Sequence, residues 1–250
     1  MAYFFTESYT YREDVIATSS GGTDIQPPAS AIDYDQATYW ESDGATPSFI
    51  IDLGVARQID SLFLLESMIT TFKLYYSHNN TNWTEVTDGT KTEISADVWW
   101  WFSFTSVSRR YWKIEVLTKG VGNVRIKEFM LFVMKVHLAE NDGVGMVNVV
   151  PDDPIGGSYL MSNGTTQSFA GSKEYQTIDF SFNYTTLTIK NLLYALYNTP
   201  TLRNPVVIIP DEDEPSKIYR CIWNMTKFEF VYQTSMRLAG YSGSLSFTEY

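Results

Sequence analysis

Apolar and polar side chains alternate along much of this chain with a period of two, the spacing of half-buried β-strands. Phe49 to Leu53 reads F-I-I-D-L, and Ile59 to Leu65 reads I-D-S-L-F-L-L as a buried strand. From Phe72 to Ser77, Phe72, Leu74 and Tyr76 turn to one side and Lys73 and Tyr75 to the other. H-N-N-T-N-W, from His78 to Trp83, is a turn, since Asn79 and Asn80 tolerate left-handed backbone. The run Trp99-Trp100-Trp101-Phe102 puts aromatic rings on both faces of a strand. One face can fill a core, whereas the other requires a cover: a domain, a subunit or a sugar ring. Val124 to Phe132, V-R-I-K-E-F-M-L-F, closes this first series. Residues 1–24 are polar and aromatic and predict an edge strand and a loop.

The texture changes near Lys135. Two alternating runs flank N-D-G-V-G, a β-hairpin signal, and a second domain is expected to begin here, giving domains 1–134 and 135–250. P-D-D-P-I-G-G-S-Y reads as loop, and Y-Q-T-I-D-F-S-F-N-Y as a strand with Ile178, Phe180 and Phe182 on one face. Leu187 to Tyr197 places Ile189, Leu192, Leu193 and Leu196 at helical spacing, and Pro200 stops the helix. Short strands follow in V-V-I-I, I-Y-R-C-I-W, F-E-F-V-Y and the final Y-S-G-S-L-S-F-T-E-Y, with D-E-D-E-P a solvated turn. The fold class is therefore mostly β: a β-sandwich followed by a β-rich sandwich or split barrel with one helix.

Candidate chemistry centres on Ala29 to Gly54. Asp33, Asp35 and Thr38 form a D-x-D-x-x-T spacing that no regular helix or strand face can present together, so oxygen ligands there imply a tight loop around a hard cation. The alternative is a plain turn in which Asp and Thr bond their own backbone. Glu128 would share a strand face with Val124, Ile126, Met130 and Phe132 if that strand is regular. A carboxylate among apolar neighbours needs a cation, an arginine such as Arg109, Arg110 or Arg125, or a bulge that turns it outward.

The Ala29–Gly54 stretch resembles the opening signature of the discoidin family, the coagulation factor 5/8 type C domains, to which many carbohydrate-binding modules belong. Phe72–Val86, Arg110–Leu117 and Val124–Phe132 fit the same family in the expected order, so the resemblance covers roughly residues 5–134, about half the chain. It implies a jelly-roll β-sandwich with Trp83 as a core tryptophan. It also implies a structural Ca2+ held by Asp33, Asp35, Thr38 and Glu128, with backbone carbonyls near Ser30 and Lys127. Sugar contacts would come from loops near the metal end, with Tyr39, Trp40 and His78 as candidates and Trp100 as a further one from the aromatic run.

Composition narrows the classes. Of the 250 residues 44% are hydrophobic and 19% charged, as in a globular protein, and the 16% aromatic content favours strands. A net charge of -11 with no basic cluster argues against nucleic acid and against anionic membrane surfaces. The single Cys221 excludes an intramolecular disulfide, in contrast to animal members of the family, and reads as a small buried hydrophobe. No basic segment followed by a long apolar run opens the chain, so no signal peptide is expected, and no stretch reaches about 18 apolar residues. His78 and His137 are the only histidines, and no nucleophile or phosphate-cradle motif is present, so the expectation is a protein that is not an enzyme.

P-V-V-I-I-P-D, I-Y-R-C-I-W and G-Y-S-G-S-L-S-F-T-E resemble the carboxy-terminal part of tail and baseplate proteins of tailed bacteriophages. That resemblance implies a structural virion protein, made in the host cytoplasm, whose oligomeric ring displays the first domain for host attachment to cell-surface carbohydrate. Its partners would be other tail or baseplate proteins. The alternatives are a bacterial carbohydrate-binding module of a glycan-degrading system, and a decoration protein that binds no sugar.

Overall fold

The computed structural model describes residues 2–5, 8–33, 35, 37–92, 99–138, 144–151, 156–160, 166–170, 176–198, 206–211, 217–224, 227–234 and 239–249. The chain forms two compact units, one from Glu7 to Met134 and one combining Met1–Thr6 with Lys135–Tyr250. The first strand, β1 (Ala2–Phe5), belongs to the second of these, where it pairs antiparallel with residues 207–209.

The Glu7–Met134 unit contains β2 (Ile16–Ser20), β3 (Asp24–Gln26), β4 (Trp40–Ser42), β5 (Ser48–Ser67), β6 (Ile69–Ser77), β7 (Trp83–Thr92), β8 (Trp99–Lys119) and β9 (Val124–Phe132). Strands β5 and β8, at 20 and 21 residues, are far longer than the common strand. Each serves two layers. Ser48–Asp52 pairs with β2 on one side and with Glu115–Tyr111 on the other. After a register shift between Asp52 and Arg57, β5 continues along β8 and takes β9 as its other neighbour. Gly54 sits at this corner with φ +72°, in the left-handed region, and a Cβ there would come within 3.0 Å of Asp14 Oδ2. The full order is β3-β4-β9-β5-β8-β6-β7, with β2 beside β5. The two layers enclose Trp40, Phe49, Phe72, Trp112 and Phe129, all fully buried. The core tryptophans are thus Trp40 and Trp112. Trp83, the expected one, lies half-buried at the start of β7, where the Lys113 ammonium sits 5.1 Å from its ring.

Strand β9 departs from the regular alternation. Leu65 faces Glu128 but Glu66 faces Ile126, so Lys127 is bulged. Val124 and Ile126 enter the main core, as do Phe129 and Leu131 beyond the bulge, and Glu128 lies on the opposite face. It remains only 2% exposed there. In the aromatic run, Trp100 and Phe102 pack on the core while Trp101 stacks on Phe63 from the other side, 6.1 Å between centroids. The Trp99 side chain lies outside the described residues.

The other unit contains β10 (Met134–Leu138), β11 (Val144–Pro151), β12 (Gly156–Leu160), β13 (Thr166–Ala170), β14 (Gln176–Thr185), α1 (Leu187–Tyr197), β15 (Val206–Ile209), β16 (Tyr219–Trp223), β17 (Phe230–Thr234) and β18 (Ala239–Glu249). Its large sheet runs β10-β1-β15-β16-β18-β14-β11, with β17 beside β18, and β12 and β13 form a separate pair. Gly156–Tyr159, read above as loop, therefore belong to a strand. Ile178, Phe180 and Phe182 share the buried face with Phe4, Leu245 and Phe247. Thr186 caps the helix by accepting from the Ile189 amide at 3.2 Å. Ile189, Leu193 and Leu196 are buried, but Leu192 is 42% exposed and lies outside the core stripe. Cys221 is fully buried, which raises the pKa of its thiol. Among the described residues no helix is long and apolar enough to cross a membrane. The expected hairpin turn at Asn141–Gly143, Pro200 and the acidic turn at 212–215 lie outside the described residues.

Candidate functional site

The loop that opens the sandwich gathers oxygen atoms around one hydroxyl. Residues Pro28–Ala31 form a single 3-10 turn with Pro28 at its start, and the end of such a turn leaves carbonyls without an internal partner. Thr38 Oγ1 lies 3.2 Å from the Ser30 carbonyl, 3.0 and 2.8 Å from the two Asp33 oxygens and 2.9 Å from the Asp35 carbonyl. A hydroxyl has one proton, so it donates to one of these oxygens at a time and the others crowd it without compensation. The Asp35 carboxylate does not join the cluster. It accepts from the Ala37 amide at 2.9 Å, as Asp33 Oδ1 accepts from the Asp35 amide at 3.0 Å, so the expected turn chemistry is also present.

Strand pairing sets Glu128 relative to this loop. Trp40 faces Ile126 in an antiparallel register, so Thr38, two residues before Trp40, stands at the end toward which Glu128, two residues after Ile126, extends. Glu128 Oε2 accepts from the Tyr11 hydroxyl at 2.6 Å. Of the arginines proposed for it, Arg110 pairs with Asp52, Arg125 with Glu41, and Arg109 donates to the Ser108 carbonyl. The donor set fits a hard ion: carbonyl, hydroxyl and carboxylate oxygens suit Ca2+, and neither imidazole nor sulfur takes part. Among the described residues no three His, Cys, Asp or Glu side chains cluster to hold a metal, so an ion here would depend on the neutral oxygens as well.

Close to this loop lies a second polar group that sequence reasoning missed. Glu41 Oε1, on a side chain only 8% exposed, accepts from Asn123 Nδ2 at 2.9 Å and from Arg125 Nη2 at 3.2 Å. The Arg125 guanidinium also lies 4.9 Å from the Tyr39 ring centroid. A carboxylate, an amide, a guanidinium and an aromatic ring thus meet at one end of the sandwich. No local signal marks them, because Glu41 is separated from its two donors by most of the module.

The predicted sugar contacts divide. Tyr39 belongs to this cluster. Trp40 does not: it is fully buried against Phe49, with its indole N–H donating to Asp24 Oδ1 at 2.7 Å, so no ligand can reach it. Trp100 is half-buried on the core. His78 is exposed, but it follows Ser77 at the far end of β6 from Ile69. Ser67, just before β6, is the strand partner of Arg125, so roughly 26 Å of strand, at about 3.3 Å per residue, separate His78 from the Tyr39 cluster.

Residues 14–129 match the F5/8 type C domain family. The Glu7–Met134 unit is thus a β-sandwich carrying an F5/8 type C domain. Three modules are among the similar solved structures. CpGH89CBM32-5 from Clostridium perfringens, in complex with GalNAc-β-1,3-galactose, is 18% identical with a TM-score of 0.45, over 48% of this chain and 96% of that one. The family 32 carbohydrate-binding module of C. perfringens NanJ, in complex with galactose, is 22% identical with a TM-score of 0.44, over 52% and 99%. Chitosan-binding module 1 from a Paenibacillus sp. IK-5 chitosanase/glucanase is 18% identical with a TM-score of 0.45, over 50% and 98%. No curated protein matches the chain.

Proposed function

We propose that the Glu7–Met134 unit is a carbohydrate-binding module in which a structural Ca2+ orders the Ser30–Thr38 loop and the adjacent Tyr39–Glu41–Asn123–Arg125 cluster contacts a sugar. The observation that carries this is the Glu41 carboxylate held by two donors beside an aromatic ring. Sugar hydroxyls both donate and accept, so a site needs acceptor and donor groups fixed next to an apolar plane. Galactose and GalNAc-β-1,3-galactose, the sugars seen with two of the similar modules, are the first probes. On a glycan array the full chain should bind a subset of terminal sugars. Asn123→Ala and Arg125→Gln should each weaken that binding at least about tenfold, some 1.4 kcal/mol, while His78→Ala leaves it intact. An array without hits, or unchanged binding in both variants, removes the sugar reading.

The second unit supports a further placement, a tail or baseplate component of a phage particle that displays the module toward a host surface. Strand β17 has β18 as a neighbour on one side and exposes Val231 and Tyr232 at 62% and 57%, and α1 exposes Leu187 and Tyr194. Exposed apolar side chains suit docking against another copy or another virion protein. A bacterial glycan-degrading system would use the same module as a monomer. Light scattering on the full chain separates the two.

A further inference from the structure

Three arginines at the corner end of the F5/8 type C sandwich form no ion pair among the described residues, although Asp14 and Asp52 stand at the same corner. Arg57 of β5 and Arg109 of β8 are direct cross-strand partners. Their side chains therefore stand on one face about 5 Å apart at Cβ, and like charges so placed destabilise a sheet. Each guanidinium is braced on a tyrosine: Arg57 lies 5.7 Å from the Tyr9 ring centroid and Arg109 5.2 Å from that of Tyr76. Arg12 brings a second guanidinium to Tyr9, also at 5.7 Å. Such contacts orient the planar forks but leave their charge in place. Arg57 Nε is buried and has no hydrogen-bond partner among the described residues. Arg109 donates from Nη1 to the adjacent Ser108 carbonyl at 2.7 Å.

A shortage of acids does not explain the arrangement, since the chain has 29 Asp and Glu against 18 Lys and Arg. Neighbouring cations find partners. Arg110, on the opposite strand face, holds both oxygens of Asp52 at 2.6 and 2.8 Å, and Lys73 reaches Glu85 at 3.0 Å. Among the described residues no carboxylate forms an ion pair with Arg12, Arg57 or Arg109.

The geometry points to an oxyanion site: Arg57 and Arg109, with Arg12 at the rim, receive one carboxylate, sulfate or phosphate group. The source is the acidic group of a uronic or sulfated glycan, or a free inorganic ion. Guanidinium forks match such groups through paired hydrogen bonds, and an anion held between them would offset the repulsion of two like charges. The site is separate from the Tyr39 cluster. Arg109 rests on Tyr76, near the end of β6, whereas Arg125 is the strand partner of Ser67, two residues before its beginning.

The test titrates the full chain at constant ionic strength with sulfate, phosphate, oligogalacturonate, chloride and a neutral galactose oligomer, reading melting temperature and heat of binding. A saturable rise in melting temperature is expected with at least one oxyanion and absent with chloride and the neutral sugar. Response to oligogalacturonate alone assigns an acidic glycan, and response to sulfate or phosphate assigns an inorganic ion or sulfated ligand. Arg57→Gln and Arg109→Gln should each melt higher than the parent without ligand, because the repulsion is gone, and each should weaken the oxyanion response at least about tenfold. Arg57→Lys, which keeps the charge and loses the fork, serves if a glutamine variant folds poorly and should also weaken the response. An oxyanion effect equal to that of chloride, or one that persists in the Arg57→Gln/Arg109→Gln double variant, overturns the proposal. Loss of galactose binding in Asn123→Ala reports on the other end of the sandwich, so the two readings fail independently.

Discussion

Thr38 supplies one proton to a cluster of four oxygens, and this mismatch is what favours an ion in the Ser30–Thr38 loop. A bound cation stabilises the folded state by mass action, by about 2.7 kcal/mol when calcium stands at 100 times its dissociation constant. The melting temperature should therefore fall on adding EDTA and recover with excess Ca2+, and Asp33→Ala should melt lower and ignore both additions. An unchanged melting curve in all these conditions ends the calcium reading. The loop was legible in the sequence because Ser30, Asp33, Asp35 and Thr38 are near neighbours in the chain. Trp40 was not, since an aromatic beside a polar loop looks like a ligand contact until the core that covers it is known. Glu41, Asn123 and Arg125 were invisible for a related reason: strand pairing alone brings them together.

The corner of β5 and β8 shapes the module more than any single loop. Asp52 and Arg110 fasten it, and Gly54 donates its amide to Asp52 Oδ1 at 2.9 Å. The hydrogen bonds and charge of Arg110 hold the Asp52 carboxyl below its ordinary value of 3.8, with the Gly54 amide adding to the shift against partial desolvation. A carboxylate with a depressed pKa stabilises the fold above the unfolded value and loses that contribution as pH falls through the folded one. Because the pair is 40% and 21% exposed, solvent screening keeps its contribution small. Asp52→Asn should thus be less stable than the parent at pH 7, and the gap should shrink as pH is lowered below 3.8. A gap that stays constant down the titration would mean that packing, rather than charge, joins the strands. The sequence showed the strands on either side of this corner but not their continuity, since Gly54 reads equally as a loop end. It also hid the bulge at Lys127, because β9 is apolar on both faces and its period-two pattern survives the shift.

At the scale of the molecule, the chain returns at Lys135 to the compact unit that Met1–Thr6 began. The place of β1 was not readable. Ala2–Phe5 is a short apolar run with no local feature to select a partner, and its register with Ile209 is fixed only in the folded sheet. The exposed side chains of β17 and α1 belong to this second unit, and they make a prediction about mass. If they dock between copies, the full chain should run as a discrete multimer in light scattering, and Val231→Glu with Tyr232→Lys should reduce it to a monomer. A monomer at every accessible concentration, with no co-assembling partner, would leave the particle reading without support.

Strands β1 and β10, which flank the module in the chain, are hydrogen-bonded neighbours in the sheet of the second unit. The Glu7–Met134 segment is therefore inserted in the chain between two neighbouring strands of that sheet. Segments so placed tolerate replacement, because the surrounding strand order does not depend on what they contain. Exchange of the inserted segment for another would leave the strand order of the second unit as it is, so the two can vary independently.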